Sequence, residues 1–188
     1  MKHRNVYLVG FMGTGKTTIG RELSRAMGRK FIDVDLELER RMGMTVNEIF
    51  ATHGEEFFRN LEKELAEELA ATRNKVVATG GGTIVNPEVF DLFNQSGLLI
   101  CLYTDRDDLV SRLQRTDKRP LLKAQSPSGV ADKVDRLMEE RKNIYGKVKV
   151  RMDTTNLTPM VAARKIHERL KGRTSLLEME IEDPIELL

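Results

Sequence analysis

A short apolar run that ends in a glycine-rich loop and continues into an amphipathic helix leaves this chain few ways to fold. Val6 to Val9 lacks helical spacing and reads as a buried strand. Gly10-Phe-Met-Gly-Thr-Gly15-Lys16-Thr17 follows and satisfies G-x-x-x-x-G-K-[ST] at every fixed position. Ile19, Leu23, Ala26 and Met27 then recur at helical spacing, so the loop joins a strand to a helix. Gly10, Gly13 and Gly15 permit positive φ, which lets consecutive N–H groups turn inward toward anionic oxygens. The N-terminus of the next helix adds to that field. Lys16 brings a mobile charge toward β- and γ-phosphates, and Thr17 offers a hydroxyl to Mg²⁺. The stretch reads as a nucleoside triphosphate site, faced by Gly13, Thr14, Gly15, Lys16, Thr17 and Thr18.

The pattern downstream repeats strand and helix. Lys30–Asp33 reads as a second strand ending in acid, followed by Asp35 and a helix over Leu36–Met42. Thr45-Val-Asn-Glu48 is a capping box that opens another helix. Gly54 interrupts it, and Glu55–Ala71 resumes with Phe57, Phe58, Leu61, Leu65 and Leu69 on one face. Lys75–Ala78 is a third strand running into Thr79-Gly80-Gly81-Gly82, Asn86-Pro87 starts a helix, and Leu98–Tyr103 is a fourth, apolar strand. Thr104 is the expected cap of the helix after it. Residues 115–129 lose all periodicity, are basic and carry two prolines, as a mobile lid would. Ala131–Tyr145 is helical, Val148–Met152 a last strand, and Thr158-Pro159 begins a final helix.

Strands alternating with helices predict a three-layer α/β/α fold, with a five-stranded parallel sheet between its helices. Ligands in such folds bind beyond the carboxyl ends of the strands. That rule gathers Gly10–Thr17, Asp33 and Asp35, Gly80–Gly82 and Thr104 on one rim. Of Asp33 and Asp35, one carboxylate can hold a metal's water shell while the other receives a hydroxyl proton, although a carboxylate here can also cap a helix.

The remaining composition narrows the classes. With 188 residues, one domain over 1–172 is expected. No apolar run approaches the ~18 residues of a membrane span, and the apolar segment of MKHRNVYLVG is too short for a signal peptide. Cys101 is the single cysteine, which fits a reducing, cytoplasmic setting without disulfides. Net charge is +2, but residues 173–188 hold one Arg and five acids, leaving 1–172 at +6. That excess suits a small anion and is too dispersed to indicate nucleic acid. The acidic tail 173–188 is expected to be flexible.

The combination GFMGTGKTT (10–18), FIDVD (31–35), GEEFFRNLE (54–62), VVATGGG (76–82), RTDKRPLL (115–122) and ERKNIY (140–145) resembles the shikimate kinases in order and spacing. The resemblance covers the chain up to its tail. It implies a P-loop small-metabolite kinase that transfers the γ-phosphoryl group of ATP to the 3-hydroxyl of shikimate, in the pathway to chorismate and the aromatic amino acids. It implies Mg²⁺ at Thr17 and Asp33, and Asp35 on the substrate hydroxyls. It also implies that Arg59 and Arg141 clamp the shikimate carboxylate beside Gly81 and Gly82. Arg119 would swing in with the lid onto the transferring phosphoryl group, while Arg115 and Pro159 would flank adenine. A monomer is the family expectation. Two rivals share the phosphate loop: a gluconate kinase on the same scaffold, and a nucleotide-binding regulator without catalysis. The first should not need Asp33, Asp35, Arg59, Arg141 and the three glycines together. The second is disfavoured by the presence of Lys16, Asp33, Asp35 and Arg119.

Overall fold

A computed structural model describes residues 4–114, 127–172 and 185–186. The elements run β1 (Asn5–Val9), α1 (Lys16–Met27), β2 (Lys30–Asp33), α2 (Val34–Met42), α3 (Val46–Ala70), β3 (Lys75–Ala78), α4 (Pro87–Ser96) and β4 (Gly97–Tyr103). They continue with α5 (Arg106–Gln114), α6 (Pro127–Gly146), β5 (Val150–Asp153), α7 (Pro159–Gly172) and the two-residue β6 (Ile185–Glu186). The sheet order is β2-β3-β1-β4-β5-β6, and every pairing is parallel. The five expected strands are all present. The sixth was not anticipated: two residues of the acidic tail extend the sheet, Ile185 opposite Val150 and Glu186 opposite Arg151.

β1 is central because both of its faces are buried. Val6 and Leu8 enter a core with Ile19 and Leu23 of α1, Ile100 and Leu102 of β4, and Ile166 of α7. Tyr7 and Val9 point the other way, into a core with Leu38, Phe58, Leu65 and Phe93 from α2, α3 and α4. The period-2 alternation of one strand thus organises two helical layers. The chain leaves β1 toward β3 and β2 on one side and returns to β4 on the other. The loop after β1 therefore sits at the reversal point where parallel sheets open a cleft.

Local signals explain most boundaries. The Thr45 capping box is formed in both directions, with the Glu48 carboxylate accepting from Thr45 N at 2.7 Å. Gly54 adopts φ 84 inside α3 and kinks it where the pattern breaks. Asn86 caps α4 through Glu88 N, with Pro87 at the first helical position. Three readings need correction. Phe57 is 37% exposed, so the buried stripe of α3 is Phe58, Glu62, Leu65, Ala66 and Leu69. Thr104 is not the cap of α5: the Asp105 carbonyl accepts the first helical N–H, from Leu109, while the Thr104 hydroxyl donates to Asp108. The aperiodic stretch is also shorter than 115–129, because α6 already begins at Pro127. Among the described residues no helix is long and apolar enough to cross a membrane.

A smaller third core matters most for the cleft. Phe11 and Met12, variable positions of the phosphate loop, are 4% and 5% exposed and pack with Leu109, Leu113 and Val134. The loop is thereby anchored to α5 and α6, the helices on either side of residues 115–126.

The start of this loop is sterically fixed. A Cβ on Gly10, at φ +132, would lie 2.2 Å from the Leu102 carbonyl oxygen of β4, whereas one on Gly28, at φ +63, would meet nothing within 4 Å. Gly10→Ala should cost about 3 kcal/mol or more, from backbone strain plus overpacking. Gly28→Ala should cost only about 1 kcal/mol. Urea denaturation of the two variants checks this, and equal losses would show that the Gly10–β4 approach does not limit stability.

Candidate active site

The phosphate loop has the conformation that its glycines permit, with φ of 132, 87 and 90 at Gly10, Gly13 and Gly15. Gly15 occupies the cap position of α1 without a side-chain cap, and no acid lies in the first turn. The first N–H groups of α1 are thus unobstructed by local side chains and suited to an anion. Thr14 turns its hydroxyl back to the Phe11 carbonyl at 2.8 Å, and its amide N–H is directed at the same oxygen at 3.4 Å. Thr18 likewise donates to Gly15 O at 3.0 Å. Lys16 is only 8% exposed and spans the loop, with Nζ 2.7 Å from Gly10 O and 2.8 Å from Phe11 O.

Thr17 and Asp33 meet directly, Oγ1 donating to Oδ2 at 2.6 Å. The other Asp33 oxygen accepts from Leu36 N at 3.2 Å, so this residue caps α2 and also faces the loop. The capping and metal readings are therefore compatible. A hydroxyl and a carboxylate beside a phosphate loop are hard oxygen donors of the kind Mg²⁺ takes alongside water and phosphate. The described residues contain no cluster of three or more His, Cys, Asp or Glu that would hold a metal alone.

Gly80–Gly82 form the opposite wall, and the structure explains why all three lack side chains. A Cβ on Gly80 would lie 2.7 Å from Asp35 Oδ1 and 3.0 Å from Glu62 Oε1. One on Gly81 would lie 3.2 Å from Met12 N and 3.6 Å from Arg141 Nη1. One on Gly82 would lie 3.0 Å from both terminal nitrogens of Arg59. None of the three has the positive φ that would itself demand glycine. Their common property is close approach: Gly80 and Gly82 to charged side chains, and Gly81 to the Met12 backbone with Arg141 in ordinary contact. Asp35, Arg141 and Arg59, from α2, α6 and α3, are thus brought onto three consecutive residues, and Gly81 abuts the phosphate loop itself.

Each arginine is held in place. Arg141 is 7% exposed, donates to Gly81 O at 2.8 Å and lies 5.6 Å above the Phe11 ring. Arg59 pairs with Glu62 at 2.5 Å and Glu55 at 2.9 Å. Burial works against the Arg59 charge, but Glu62 and then Glu55 outweigh it and leave the guanidinium pKa raised. Tyr145 also donates to Gly81 O, at 2.5 Å, and burial pushes its phenol up to about 12.

Three residues at this site escaped the sequence reading. Glu62 is 2% exposed and accepts from both Arg59 and Thr83. Its signal was an acid on the apolar stripe, four residues after Phe58 and three before Leu65. Tyr145 stood one helical turn after Arg141. Arg112 lines the cleft, pairs with Asp108 at 2.6 Å and reaches Gly13 O at 3.3 Å and Thr154 O at 3.4 Å. Pro159 opens α7 but is not among the cleft-lining residues. Arg115 and Arg119 lie outside the described residues.

A family model described as shikimate kinase matches residues 12–171. A shikimate kinase of Thermodesulfovibrio yellowstonii is 36% identical over 175 residues, covering 91% of this chain and 99% of that protein. One of Moorella thermoacetica is 38% identical over 168 residues, covering 89% and 95%. The structure of the Acinetobacter baumannii shikimate kinase in complex with shikimate superposes with a TM-score of 0.78 at 36% identity, covering 92% and 93%.

Lys16→Met removes the ammonium while keeping an unbranched chain of similar length. It should weaken nucleotide binding by roughly 2–5 kcal/mol, because a desolvated charge pair is lost, and leave the circular dichroism spectrum unchanged. Calorimetric titration with ATP checks this, and wild-type affinity would place the phosphates elsewhere.

Proposed function

This chain belongs to the shikimate kinase family, and from that premise we propose how its cleft moves the γ-phosphoryl group of ATP onto the 3-hydroxyl of shikimate. The observation that carries the reading is the convergence of Asp35, Arg141 and Arg59 on Gly80–Gly82, in contact with the phosphate loop.

On the nucleotide side, loop amides from Gly13 to Thr18 and the Lys16 ammonium hold the phosphates. Thr17 and Asp33 hold Mg²⁺, which when bound offsets the charge on the β- and γ-phosphates. Arg112 belongs to this side too, since it reaches the Gly13 carbonyl and lines the cleft. Among the described residues this makes it a better-supported neighbour of the nucleotide than Pro159. On the acceptor side, guanidinium forks match a planar carboxylate, and Arg59 and Arg141 take that group together near the Gly81 and Gly82 backbone, a reading supported by the contact each makes with one of those glycines. Asp35 orients the ring hydroxyls and takes the proton of the 3-hydroxyl as its oxygen attacks phosphorus. The bond from the γ-phosphorus to the bridging oxygen breaks, and ADP leaves. Arg119 of the lid takes charge on the transferring group, and closure over the cleft keeps water from competing as acceptor. A monomer acting in the cytoplasm completes the proposal.

ADP release with Mg-ATP, measured in parallel with shikimate, gluconate or no acceptor, tests the reaction. Turnover with shikimate alone is expected; turnover with gluconate alone would overturn it. Arg141→Ala should raise the KM for shikimate by the equivalent of roughly 2–5 kcal/mol, because a desolvated carboxylate loses a charged partner. An unchanged KM would remove Arg141 from the acceptor site.

A further inference from the structure

We propose that Tyr145 is a positioning residue for the acceptor half of the cleft. By donating to the Gly81 carbonyl beside Arg141, it fixes the Gly81–Gly82 peptide that receives the substrate carboxylate. The inference rests on the acceptor site described above and assigns the task of shaping it to a group that does not touch substrate.

Three glycines in a row have the greatest backbone freedom of any tripeptide and no side chains with which to restrain themselves. Their geometry must be imposed from outside. On the α6 side that restraint is two donors four residues apart on one helix face, the spacing that brings side chains together. Arg141 Nη1 and Tyr145 Oη both reach Gly81 O, at 2.8 and 2.5 Å, and a carbonyl oxygen has two lone pairs to accept them. The described peptide bonds are all trans. A Gly81 carbonyl turned toward α6 therefore directs the Gly82 N–H away from α6.

The two donors are not equivalent. Arg141 is a carboxylate ligand, so the guanidinium that steadies Gly81 must also engage the substrate. Tyr145 has no such second duty. Its ring is held between the main core and the small core of Phe11 and Met12. Burial keeps its phenol protonated throughout the neutral range, so the hydroxyl remains a donor. Tyr145 thus keeps the carbonyl satisfied while Arg141 turns to the acid. α6 also begins immediately after the lid segment, which places the anchor on the helix that follows the lid.

Tyr145→Phe keeps the ring and removes only the donor. The KM for shikimate should rise about 10-fold, the effect of leaving a part-buried carbonyl short of a hydrogen bond. KM for ATP and kcat should stay within about two-fold. Tyr7→Phe is the control. Its buried hydroxyl bonds Ser96 and Asn5 at the other end of the sheet, so it should lower Tm without moving either KM. Wild-type turnover of shikimate is measured alongside. A wild type inactive on shikimate removes the acceptor reading and this proposal with it. An active wild type, with a Tyr145→Phe variant whose shikimate KM is unmoved or rises only in parallel with that for ATP, overturns the positioning role alone.

Discussion

A polyphosphate can be held at the end of a strand only if several backbone N–H groups are left unpaired, aimed at one point and kept from collapsing. The rest of this molecule follows from that requirement. The strand must be the buried centre of a sheet, and β1 has Leu8 and Val9 facing opposite cores. The loop must start without a side chain, because Gly10 lies against the Leu102 carbonyl. It must also be held from above, which Phe11 and Met12 do by packing against α5 and α6. Residues that the motif treats as variable are here the loop's attachment to the helices on either side of residues 115–126.

The second half of the cleft solves a different problem. A small polyhydroxylated acid needs cations for its carboxylate and an acid–base group for its hydroxyl, all within a few ångströms of the phosphate loop. Long charged side chains cannot reach one place if the floor has side chains of its own. Three glycines clear the floor, and the charged groups arrive from α2, α3 and α6. Buried charges are costly unless paired, and each arginine here has partners: Glu62 and Glu55 for Arg59, the Gly81 carbonyl and the Phe11 face for Arg141. Glu62 in turn accepts from Thr83, which continues the chain past the last glycine.

Much of this was legible in the residue order. Apolar runs separated by capping and turn residues were enough for five strands, and the phosphate loop announced its own flanking elements. Asp33 and Asp35 were recognisable because a strand end places them on the ligand side of the sheet. What stayed hidden depends on contacts between distant segments. Glu62 looks like one of several acids on α3 until Thr83 and Arg59 are seen to enclose it. Tyr145 reads as a core aromatic until its hydroxyl is placed on Gly81. Arg112 precedes the basic stretch that drew attention to Arg115, and its bond to Gly13 of the phosphate loop has no local signal in the sequence. The pairing of Ile185 with Val150 joins residues too far apart for any local pattern to indicate.

The central claim is that the glycine floor with its two arginines recognises a carboxylate held against the phosphate loop. Comparing kcat/KM for shikimate with that for its methyl ester tests this most directly, since the ester keeps the ring and the 3-hydroxyl and loses only the charge. The account predicts a fall of about 10²–10³-fold for the ester, carried mainly by KM, as expected when desolvated guanidinium groups lose their charged partner. Comparable turnover of acid and ester would contradict it.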